Sequence, residues 1–557
     1  MSEPVLVLSA QGELPATLPL SAAAAEKLRQ AFIQAITVLS VANADRPGWW
    51  FTWASSRDRF NAKTWSRLVA LARLAEDLGQ AGPISLGCDD PWLAEAMVAL
   101  AQSRGWRVKR RLADRLRWGL RRLVPAGWLA MAKEMRRAIR LRRAARAQPK
   151  SITAAEVVLI APLSEAPLRQ AGAYRDPYFG QLPDYLGQNG ETCLHFGDVQ
   201  GDPLAVVKAA ADRAEPIVTL GHLLGWTDLA AAAWVALRPL KTRGVRLPWG
   251  NDARALLADD LRRARGQVFL GALMQRGCAR LLALLPRARI IHTYENNPWE
   301  RAVDVAAHAA GRSVIGYLHC AVLKAHMKNV ITIEEQGLRP APDRIVCTGP
   351  SARALFLSLG AHDGQKVAPG CALRGPSLTG LPRRAHAPRQ ITTVLAVLEG
   401  LPSMVKVLRL LDHAARLSPR LRVLARAHPA LPLSVLAPQA GIVLGEHVHE
   451  SGPSDLMAAL DQADVVLYQG TTAAMTALYC GIPLVRLRLD DTVDDDPLSA
   501  CPHLKAEISQ PEELMAALAG FTAMDDIEFE NETTRARAWI DGAMAAPDAH
   551  SLKGFLP

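Results

Sequence analysis

Short apolar runs alternate with stretches of helical spacing along most of the chain, and this alternation predicts an α/β protein. After residue 155, six strand candidates are each followed by a helical stretch: 157–161, 217–220, 268–270, 290–293, 314–318 and 345–348. A segment rich in Gly, Pro and Arg over 368–389 precedes five more: 392–398, 422–427, 442–444, 465–468 and 483–486. Two successive sets of strand–helix units predict two doubly wound domains that face a cleft, with ligands beyond the carboxyl ends of the strands.

The first hundred residues carry a shorter version of the same pattern. Apolar runs at 5–9, 49–53 and 83–87 predict strands, and the spacing over 91–104 predicts a helix. No cluster of nucleophile, base and acid occurs there, so we assign this part no reaction. The patterns together predict an accessory α/β domain (1–105), a basic helical segment (106–154) and two larger domains (155–375 and 390–540).

Composition narrows the class of protein. The chain has 557 residues, half of them hydrophobic, and a mean hydropathy of +0.05, which excludes a mainly disordered protein. Its eight cysteines are scattered without a C-x-x-C pair, so we expect buried thiols rather than a zinc site or a disulfide framework. No secretory signal and no membrane-spanning apolar run is evident, so we expect a cytoplasmic protein.

The net charge of +11 is concentrated in one segment. Residues 104–150 contain seventeen Lys or Arg residues and two acids, which is more than the whole excess. Within 112–146, apolar residues recur three or four positions apart around Pro125, which predicts two basic amphipathic helices. We predict peripheral attachment to an anionic membrane surface and no nucleic-acid partner, since no recognition fold accompanies the arginines. The alternative interpretation is a linker whose apolar face packs on its own protein.

Two motifs in the last domain suit a phosphate ligand. A strand at 465–468 leads into Gly470, Thr471 and Thr472, where a helix begins, so free N–H groups and hydroxyls face the loop. An ordinary helix N-cap is the alternative. His428 follows an earlier strand candidate, 422–427, in the sequence Arg426-Ala427-His428-Pro429, and an imidazole there can protonate a leaving phosphate.

A His-Pro pair after a strand, followed about forty residues later by paired hydroxyl residues, resembles the bacterial GT-B glycosyltransferases that use CMP-activated sugars. These are sialyltransferases, polysialyltransferases and Kdo transferases. The resemblance implies that His428 contacts the nucleotide phosphate and assists its departure, and that Thr471 and Thr472 bind that phosphate. It also implies an acidic residue at the nucleoside, for which Glu446 and Asp455 are both candidates. Arg426 or Arg374 is available for a donor carboxylate or phosphate.

The segment 294–301, with 316–319 and 342–349, resembles a family of surface-carbohydrate biosynthesis proteins. Glu295 follows a strand candidate and therefore lies at a carboxyl edge, where an inverting transferase needs a carboxylate to take the acceptor proton. Glu300, one helical turn further on, is the alternative base or an ion-pair partner of Arg301. Asn296 can orient the carboxylate or bind the sugar, and we expect Trp299 in the core.

Departures from common patterns limit the chemistry. Many GT-B transferases begin an E-A-L-x-x-G-x-P stretch with glutamate, whereas this chain has Thr476, which disfavours a UDP- or ADP-sugar donor. The acidic run 490–496 lacks the pattern of a calcium loop, so we expect a solvated loop and no metal site. Neither a P-loop nor a serine-hydrolase elbow occurs.

The sequence therefore predicts an inverting, metal-independent glycosyltransferase without a cofactor. Its donor would be a CMP-activated nonulosonic acid (sialic, legionaminic or pseudaminic type) or Kdo, and its acceptor a bacterial surface glycan, lipid-linked glycan or glycoprotein. We expect it in the cytoplasm, peripheral to the inner membrane. The alternatives are a CDP-alcohol phosphotransferase of the teichoic-acid type, a sugar-nucleotide 2-epimerase, and a membrane-associated scaffold that retains the fold without catalysis.

Overall fold

The computed structural model describes residues 4–10, 20–79, 83–150, 152, 154–323, 326–374, 378, 380–401, 403–428, 431–452, 455–488 and 495–557. Its described strands form three parallel sheets of three, seven and six strands. In the smallest sheet, β1 (Val5–Ser9) lies between β2 (Ile84–Gly87) and β3 (Arg107–Lys109). The helices of this part are α1 (Ala22–Ala42), α2 (Pro47–Trp50), α3 (Lys63–Asp77) and α4 (Pro91–Ser103).

The strand predicted at 49–53 is wrong, because this run forms α2 and the turns after it. Trp49, Trp50 and Phe51 are buried, and the Phe51 side chain packs against the backbone of α13 (Arg265–Leu284) at Gly271. A short apolar run that is buried on all sides has no period that separates helix from strand. Burial against a second domain produced the misleading pattern.

Two helices follow the small sheet, α5 (Leu112–Leu123) and α6 (Ala126–Ala147), as the basic amphipathic pattern predicted. They have different surroundings. Helix α6 packs against α9 (Pro203–Ala211), α10 (Leu220–Leu223) and α13, so the alternative interpretation, an apolar face packed on its own protein, applies to α6. Helix α5 packs against α4 and keeps an exposed apolar face.

The seven-stranded sheet has the order β10-β9-β8-β7-β4-β5-β6, and its core strands are buried on both faces. Its strands are β4 (Val157–Ile160), β5 (Cys193–Gly197), β6 (Ile217–Thr219), β7 (Arg289–Thr293), β8 (Val314–Leu318), β9 (Arg344–Cys347) and β10 (Val367–Pro369). Its remaining helices are α7 (Glu165–Leu168), α8 (Leu182–Gln188), α11 (Trp226–Leu237), α12 (Gly250–Arg263), α14 (Pro298–Ala309) and α15 (Pro350–Ser358). The strand order reverses between β4 and β7, and such a switch point opens a crevice for ligands.

The six-stranded sheet repeats this design in the order β13-β12-β11-β14-β15-β16, with its switch point between β11 and β14. Its strands are β11 (Thr393–Val397), β12 (Arg422–Arg426), β13 (Val448–Glu450), β14 (Val465–Tyr468), β15 (Leu484–Leu487) and β16 (Lys505–Ile508). Its helices are α16 (Met404–Leu417), α17 (Leu433–Ala440), α18 (Leu456–Leu460), α19 (Ala473–Tyr479) and α20 (Glu513–Ala523).

The chain then returns to the seven-stranded sheet. Helix α21 (Asp526–Ala543) contacts both α19 and α15, and the Ala545 N–H donates to the Thr348 carbonyl at 2.9 Å. A final 3-10 helix, Ser551–Phe555, packs the Phe555 ring against Tyr317. The other 3-10 helices are Met327–Asn329 and Ile333–Glu335. This return ties the two larger units together, and the sequence-based division had no signal for it.

The prediction of an α/β protein with two doubly wound units and an additional N-terminal α/β unit is confirmed. Two further strand predictions are wrong: 268–270 lies within α13, and 442–444 precedes β13 without pairing as a strand. Strands β3, β5, β10, β13 and β16 were not predicted, since most are short or amphipathic. Among the described residues, none of the helices combines the length and apolarity needed to cross a bilayer.

Candidate active site at the carboxyl edges of the two sheets

A cavity of about 550 Å³ lies at the switch point of the seven-stranded sheet. Its walls include residues that follow β4, β7 and β8, namely Ala161, Glu295 and His319. The first hundred residues contribute further wall residues, among them Trp53 and Asp58. The cavity therefore forms where parallel strands end, and the N-terminal unit, to which the sequence assigned no reaction, builds part of it.

Glu295 is the charged centre of this cavity. Its Oε1 lies 3.2 Å from His319 Nε2 and accepts a hydrogen bond from the Cys320 thiol at 2.9 Å. Its Oε2 lies 3.4 Å from Asn297 Nδ2 and 3.8 Å from Lys328 Nζ. The side chain is 33% exposed, so a ligand in the cavity can reach the carboxylate.

The surroundings keep Glu295 ionised. Burial raises the pKa of this carboxyl, but the hydrogen bond from His319 and the charge of Lys328 outweigh burial and hold the pKa well below its usual range. Burial and the neighbouring Glu295 charge raise the pKa of the Cys320 thiol, which stays a protonated donor. The site thus presents a carboxylate that is available as a proton acceptor at neutral pH.

Glu300, the alternative base from the sequence, is fully buried behind Glu295. Its Oε2 accepts the backbone N–H groups of Glu295 and Asn297 at 2.9 and 2.7 Å, which completes a capping box at the start of α14. Burial raises its pKa to about 7, with the Glu295 charge adding to the shift. The structure places Glu300 as the support of the Glu295 loop rather than on the cavity wall.

Asn296 also supports this loop. It has a left-handed φ of 61°, is 1% exposed, and accepts a hydrogen bond from Arg301 Nε at 2.8 Å, while its amide donates to the Lys328 carbonyl. It therefore fixes the turn between β7 and α14 and does not face the cavity. Trp299, which was expected in the core, packs against the hydrophobic core and also lines the cavity.

The N-terminal unit is fastened to this site through buried charges. Asp58 Oδ2 lies 3.2 Å from Lys328 Nζ, and Arg57 pairs with Glu335 at 2.8 Å with both side chains inaccessible to solvent. Arg301 Nη1 donates to Ser55 Oγ at 2.7 Å. Removing one partner from such a buried pair leaves an uncompensated charge, so these contacts specify how the segment docks.

The same segment reaches the six-stranded sheet. The Arg59 guanidinium pairs with Asp495, which follows β15 in the last domain. Its charge also acts on Glu399, the residue two positions after the end of β11. One arginine from the N-terminal unit therefore lies between the carboxyl edges of the two larger sheets.

His428 lies two residues beyond the end of β12 and is exposed. Its backbone carbonyl accepts the Leu431 N–H at 2.9 Å, and its ring packs against Gly400, where an added Cβ would lie 2.9 Å from Nδ1. Its predicted partner Pro429 lies outside the described residues. The imidazole is thus at the expected carboxyl edge and accessible to a ligand.

The loop of Gly470, Thr471 and Thr472 follows β14, as expected from the sequence. Thr472 occupies the N-cap position of α19 without a side-chain cap, and Thr471 Oγ1 accepts the Ala473 N–H at 3.3 Å. The Glu399 carboxyl lies next to Gly470, and burial raises its pKa against the opposing effects of the Gly470 backbone and of Arg59. A carboxyl group is therefore adjacent to the loop that was predicted to bind a phosphate.

The other proposed nucleoside contacts have local roles. Asp455 caps α18 by accepting the Ala458 N–H at 3.0 Å, and its carbonyl lies 3.4 Å from Arg426 Nη1. Glu446 is exposed in the turn before β13. Arg374 lies over the ring of Tyr178, a cavity residue, with 5.3 Å to the ring centroid. Arg374 therefore belongs to the seven-stranded side of the molecule rather than to the expected donor side.

One group of residues could hold a metal ion. Among the described residues, one ligand atom each from Glu295, His319 and Cys320 lies within 4.8 Å of the others, and oxygen, nitrogen and sulfur together suit zinc. Lys328 beside Glu295 opposes a cation there. Of the acidic run, 490–494 lies outside the described residues, and Asp496 is buried against Tyr468 and Lys505.

Sequence reasoning missed His319, Lys328 and Asp58. His319 had a signal, because it follows β8 as Glu295 follows the adjacent β7, and both strand ends were predicted. Lys328 and Asp58 had none, since they lie in irregular segments that only the tertiary structure brings to the cavity.

Comparison with known proteins gives similarity in fold only. No family model matches the chain, and no curated protein matches it. Solved structures with a similar fold include the calicheamicin glycosyltransferase CalG4, with 15% identity, 72% of this chain and 100% of that chain covered, and a TM-score of 0.41. The glycosyltransferase SnogD from Streptomyces nogalater has 13% identity and a TM-score of 0.39, with 72% of this chain and 99% of that chain covered. UDP-GlcNAc 2-epimerase from Neisseria meningitidis has 10% identity and a TM-score of 0.40, with 70% of this chain and 97% of that chain covered. At these identities and TM-scores, the similarity assigns neither an activity nor a donor to the chain.

Proposed function

We propose that this protein is a glycosyltransferase that moves a sugar from a nucleotide donor to an acceptor hydroxyl bound in the cavity. The observation that carries the proposal is the ionised Glu295 carboxylate, paired with His319, on the wall of a 550 Å³ cavity at a topological switch point. A carboxylate and an imidazole in hydrogen-bond reach of each other are suited to accept the proton of an attacking hydroxyl.

On the acceptor side, the hydroxyl oxygen attacks the anomeric carbon of the donor sugar while its proton passes to the Glu295–His319 pair. The carbon–oxygen bond to the nucleotide phosphate breaks in the same displacement, which inverts the configuration. Lys328 and the Cys320 thiol hold the carboxylate in place, since both lie within 3.8 Å of it. The low pKa of Glu295 keeps it deprotonated before attack, although it weakens the driving force for proton transfer.

On the donor side, His428 protonates or hydrogen-bonds the leaving phosphate, and Thr471 and Thr472 bind the same phosphate. The donor in this proposal is a CMP-activated nonulosonic acid or Kdo, as the resemblance of the His-Pro and Thr-Thr motifs implies. One phosphate needs fewer donors than a pyrophosphate, which fits a loop that offers two hydroxyls and the start of a seven-residue helix. No metal or cofactor takes part.

Two measurements test this proposal. Calorimetric titration with CMP, UDP and CDP should give binding by CMP and weak or absent binding by the other two. Incubation with CMP-sugars and a panel of surface-glycan acceptors should then release CMP together with a glycosylated product of inverted configuration. Binding of UDP in preference to CMP would overturn the donor assignment, and nucleotide binding without transfer to any acceptor would favour the non-catalytic alternative.

A further inference from the structure

Helix α5 carries an unusual stripe of exposed leucines. Leu112, Leu116, Leu120 and Leu123 are 69%, 60%, 67% and 78% exposed, although they form one face of the helix. At about 100° per residue, their spacing of four, four and three keeps them within a single apolar stripe. A stripe of this kind in a folded protein is normally buried against another element.

The exposure of this stripe is a fixed property of the fold. On the opposite face of α5, Trp118 is 2% exposed and its indole N–H donates to the Cys88 carbonyl at 3.0 Å. Asp114 on the same inner face is 8% exposed. The helix is therefore anchored by its buried inner face, through the Trp118 hydrogen bond, and its leucines point away from the described part of the chain.

The apolar surface continues past Pro125 into the first turn of α6. Val124, Trp128 and Leu129 are 49%, 49% and 57% exposed, and the Arg265 guanidinium lies 4.9 Å from the Trp128 ring centroid. Tryptophan beside a cation is typical of side chains that sit at a membrane–water interface. We call these three residues and the four leucines of α5, with Arg111, Arg115 and Arg117, the α5 surface.

Positive charge flanks the leucine stripe on both sides. On a helical wheel, Arg115 and Arg117 lie about 100° to either side of the stripe centre, so neither interrupts it and both can reach a surface on which the leucines rest. All three arginines of the α5 surface are exposed. The only acid in residues 111–129 is Asp114, which faces inward. The surface is thus apolar in the middle and cationic at its edges.

We propose that the α5 surface docks the protein on an anionic lipid bilayer, with the leucines in the headgroup–acyl boundary and the arginines at the lipid phosphates. The charge of the α5 surface distinguishes the lipid bilayer from two other candidate partners, a second copy of the chain and a nucleic acid. A second copy placed on the same face would bring arginines against arginines, and a nucleic acid would gain nothing from a central row of leucines. An anionic bilayer satisfies the apolar stripe and its cationic edges together.

The proposed membrane contact lies on α5 and not on the arginine-rich end of α6 (136–146). Arg142 is buried and donates to the Leu224 carbonyl at 3.0 Å. Arg137 pairs with Asp198 at 3.0 Å and lines the cavity described above. Substitution of Arg137 or Arg142 would disturb the candidate site or the packing of α6, so α5 is the better place to test the membrane contact.

The test is sedimentation of the full chain with vesicles. At low salt the wild-type protein should bind vesicles of equal parts phosphatidylcholine and phosphatidylglycerol, and pure phosphatidylcholine vesicles much less. The double variant Leu116→Gln, Leu120→Gln keeps a good helix former but should weaken partition about tenfold or more. The triple variant Arg111→Gln, Arg115→Gln, Arg117→Gln should weaken it roughly a hundredfold, since each arginine near an anionic surface contributes about fivefold.

Matched controls use equally exposed residues of the last domain. Leu417 and Ile527 are 56% and 74% exposed, and replacing both by Gln should leave vesicle binding unchanged. The same holds for the three-charge control Arg420→Gln, Arg422→Gln, Arg535→Gln, whose side chains are also exposed. Circular dichroism and thermal unfolding confirm that every variant is folded.

Three results would overturn the proposal. The first is wild-type protein that ignores anionic vesicles at low salt. The second is self-association, seen by sedimentation velocity, that the leucine variant abolishes while vesicle binding is unaffected. The third is retention on duplex DNA that equals vesicle binding and is lost in the arginine variant alone. Release from vesicles as salt rises past physiological strength supports the cationic contribution, because screening acts over a Debye length of about 8 Å.

Discussion

The carboxyl edges of the two large sheets have the same topology but differ in how fully their polar side chains are paired. At the seven-stranded sheet, Glu295 is paired with His319, Cys320 and Lys328, and Lys328 is paired in turn with Asp58. At the six-stranded sheet, Glu399, Gln469 and Asp495 each keep, among the described residues, one buried side-chain oxygen without a hydrogen-bond partner.

This difference indicates two ways of preparing a site. The first edge is preorganised, because its charges are already oriented by buried contacts and need little rearrangement when a ligand enters. At the second edge, the unpaired oxygens of Gln469 and Asp495 would gain hydrogen bonds from a ligand with hydroxyl or amino groups, since a buried oxygen without a partner costs free energy. A nucleoside offers hydroxyl and amino groups to the second edge. An acceptor hydroxyl needs a base that is already oriented, and the first edge supplies Glu295.

Glu295→Gln should produce the largest effect on the preorganised edge. The amide keeps the size of the side chain but cannot accept a proton, so transfer should fall about a thousandfold while donor binding is retained. Initial rates of transfer and titration with CMP give the two readouts. Glu334→Gln, an exposed glutamate in a neighbouring 3-10 helix, is the control and should behave as wild type. Loss of CMP binding in Glu295→Gln would mean that the two edges do not act separately.

His428→Ala should have the next largest effect, at the carboxyl edge of the six-stranded sheet, which we call the open edge. Losing a general acid at the leaving phosphate should lower kcat about a hundredfold without changing the fold. A donor with a better leaving group should recover much of that loss, which a structural defect would not allow. His413→Ala, an exposed histidine of the same domain, should leave kcat unchanged. Near wild-type kcat in a folded His428→Ala protein would remove the histidine from the mechanism.

Glu300 tests whether the first edge is held by a support rather than by a second base. Its folded pKa of about 7 exceeds the ordinary 4.5, so its contribution to stability is complete below pH 4.5 and is lost as the pH rises towards 7. Over that window the free energy of unfolding of the wild type should fall by about 3 kcal/mol relative to Glu300→Gln. Thermal unfolding of both proteins across the window measures this difference.

The exposed Glu530→Gln protein is the control for that pH series and should track the wild type. Transfer by Glu300→Gln should drop less than tenfold, because the amide oxygen of Gln can replace Oε2, which accepts both loop N–H groups. If Glu300→Gln abolishes transfer and Glu295→Gln does not, then Glu300 rather than Glu295 provides the base.

The predictable parts of the molecule are those set by local pattern. Buried parallel strands such as β7 and β12 appear in the sequence as apolar runs, and Glu295 and His428 were proposed as site residues because each follows one of these two strands. The run 49–53 failed for the opposite reason, since α2 is buried between units and lost its helical period. Periodicity reports which faces are buried, and it fails where all of them are.

The contributions from distant segments could not be predicted. Asp58 reaches Lys328 and Arg59 reaches Asp495 only because the N-terminal unit docks across both sheets. In the basic segment, arginine is most concentrated in the second half of α6 (136–146), but the exposed leucines are in α5. Tertiary packing decides which part of an amphipathic pattern remains on the surface.

The smallest expected effect concerns Glu399, whose carboxyl lies next to Gly470 at the edge of the six-stranded sheet. If the loop of Gly470, Thr471 and Thr472 binds the donor phosphate, Glu399→Gln should tighten CMP binding about threefold to tenfold by removing a nearby negative charge. Burial raises the pKa of Glu399, so more of the wild type is neutral at low pH, and its disadvantage should grow as the pH rises.

The ratio of the two CMP affinities, measured by titration at several pH values, isolates Glu399, because the titration of CMP itself is the same in both experiments. A ratio that stays at one across the series would show that no phosphate lies beside this carboxyl. Weaker binding by the variant would show instead that Glu399 accepts hydrogen bonds from the nucleoside, and the open edge would then recognise the base or ribose rather than the leaving group.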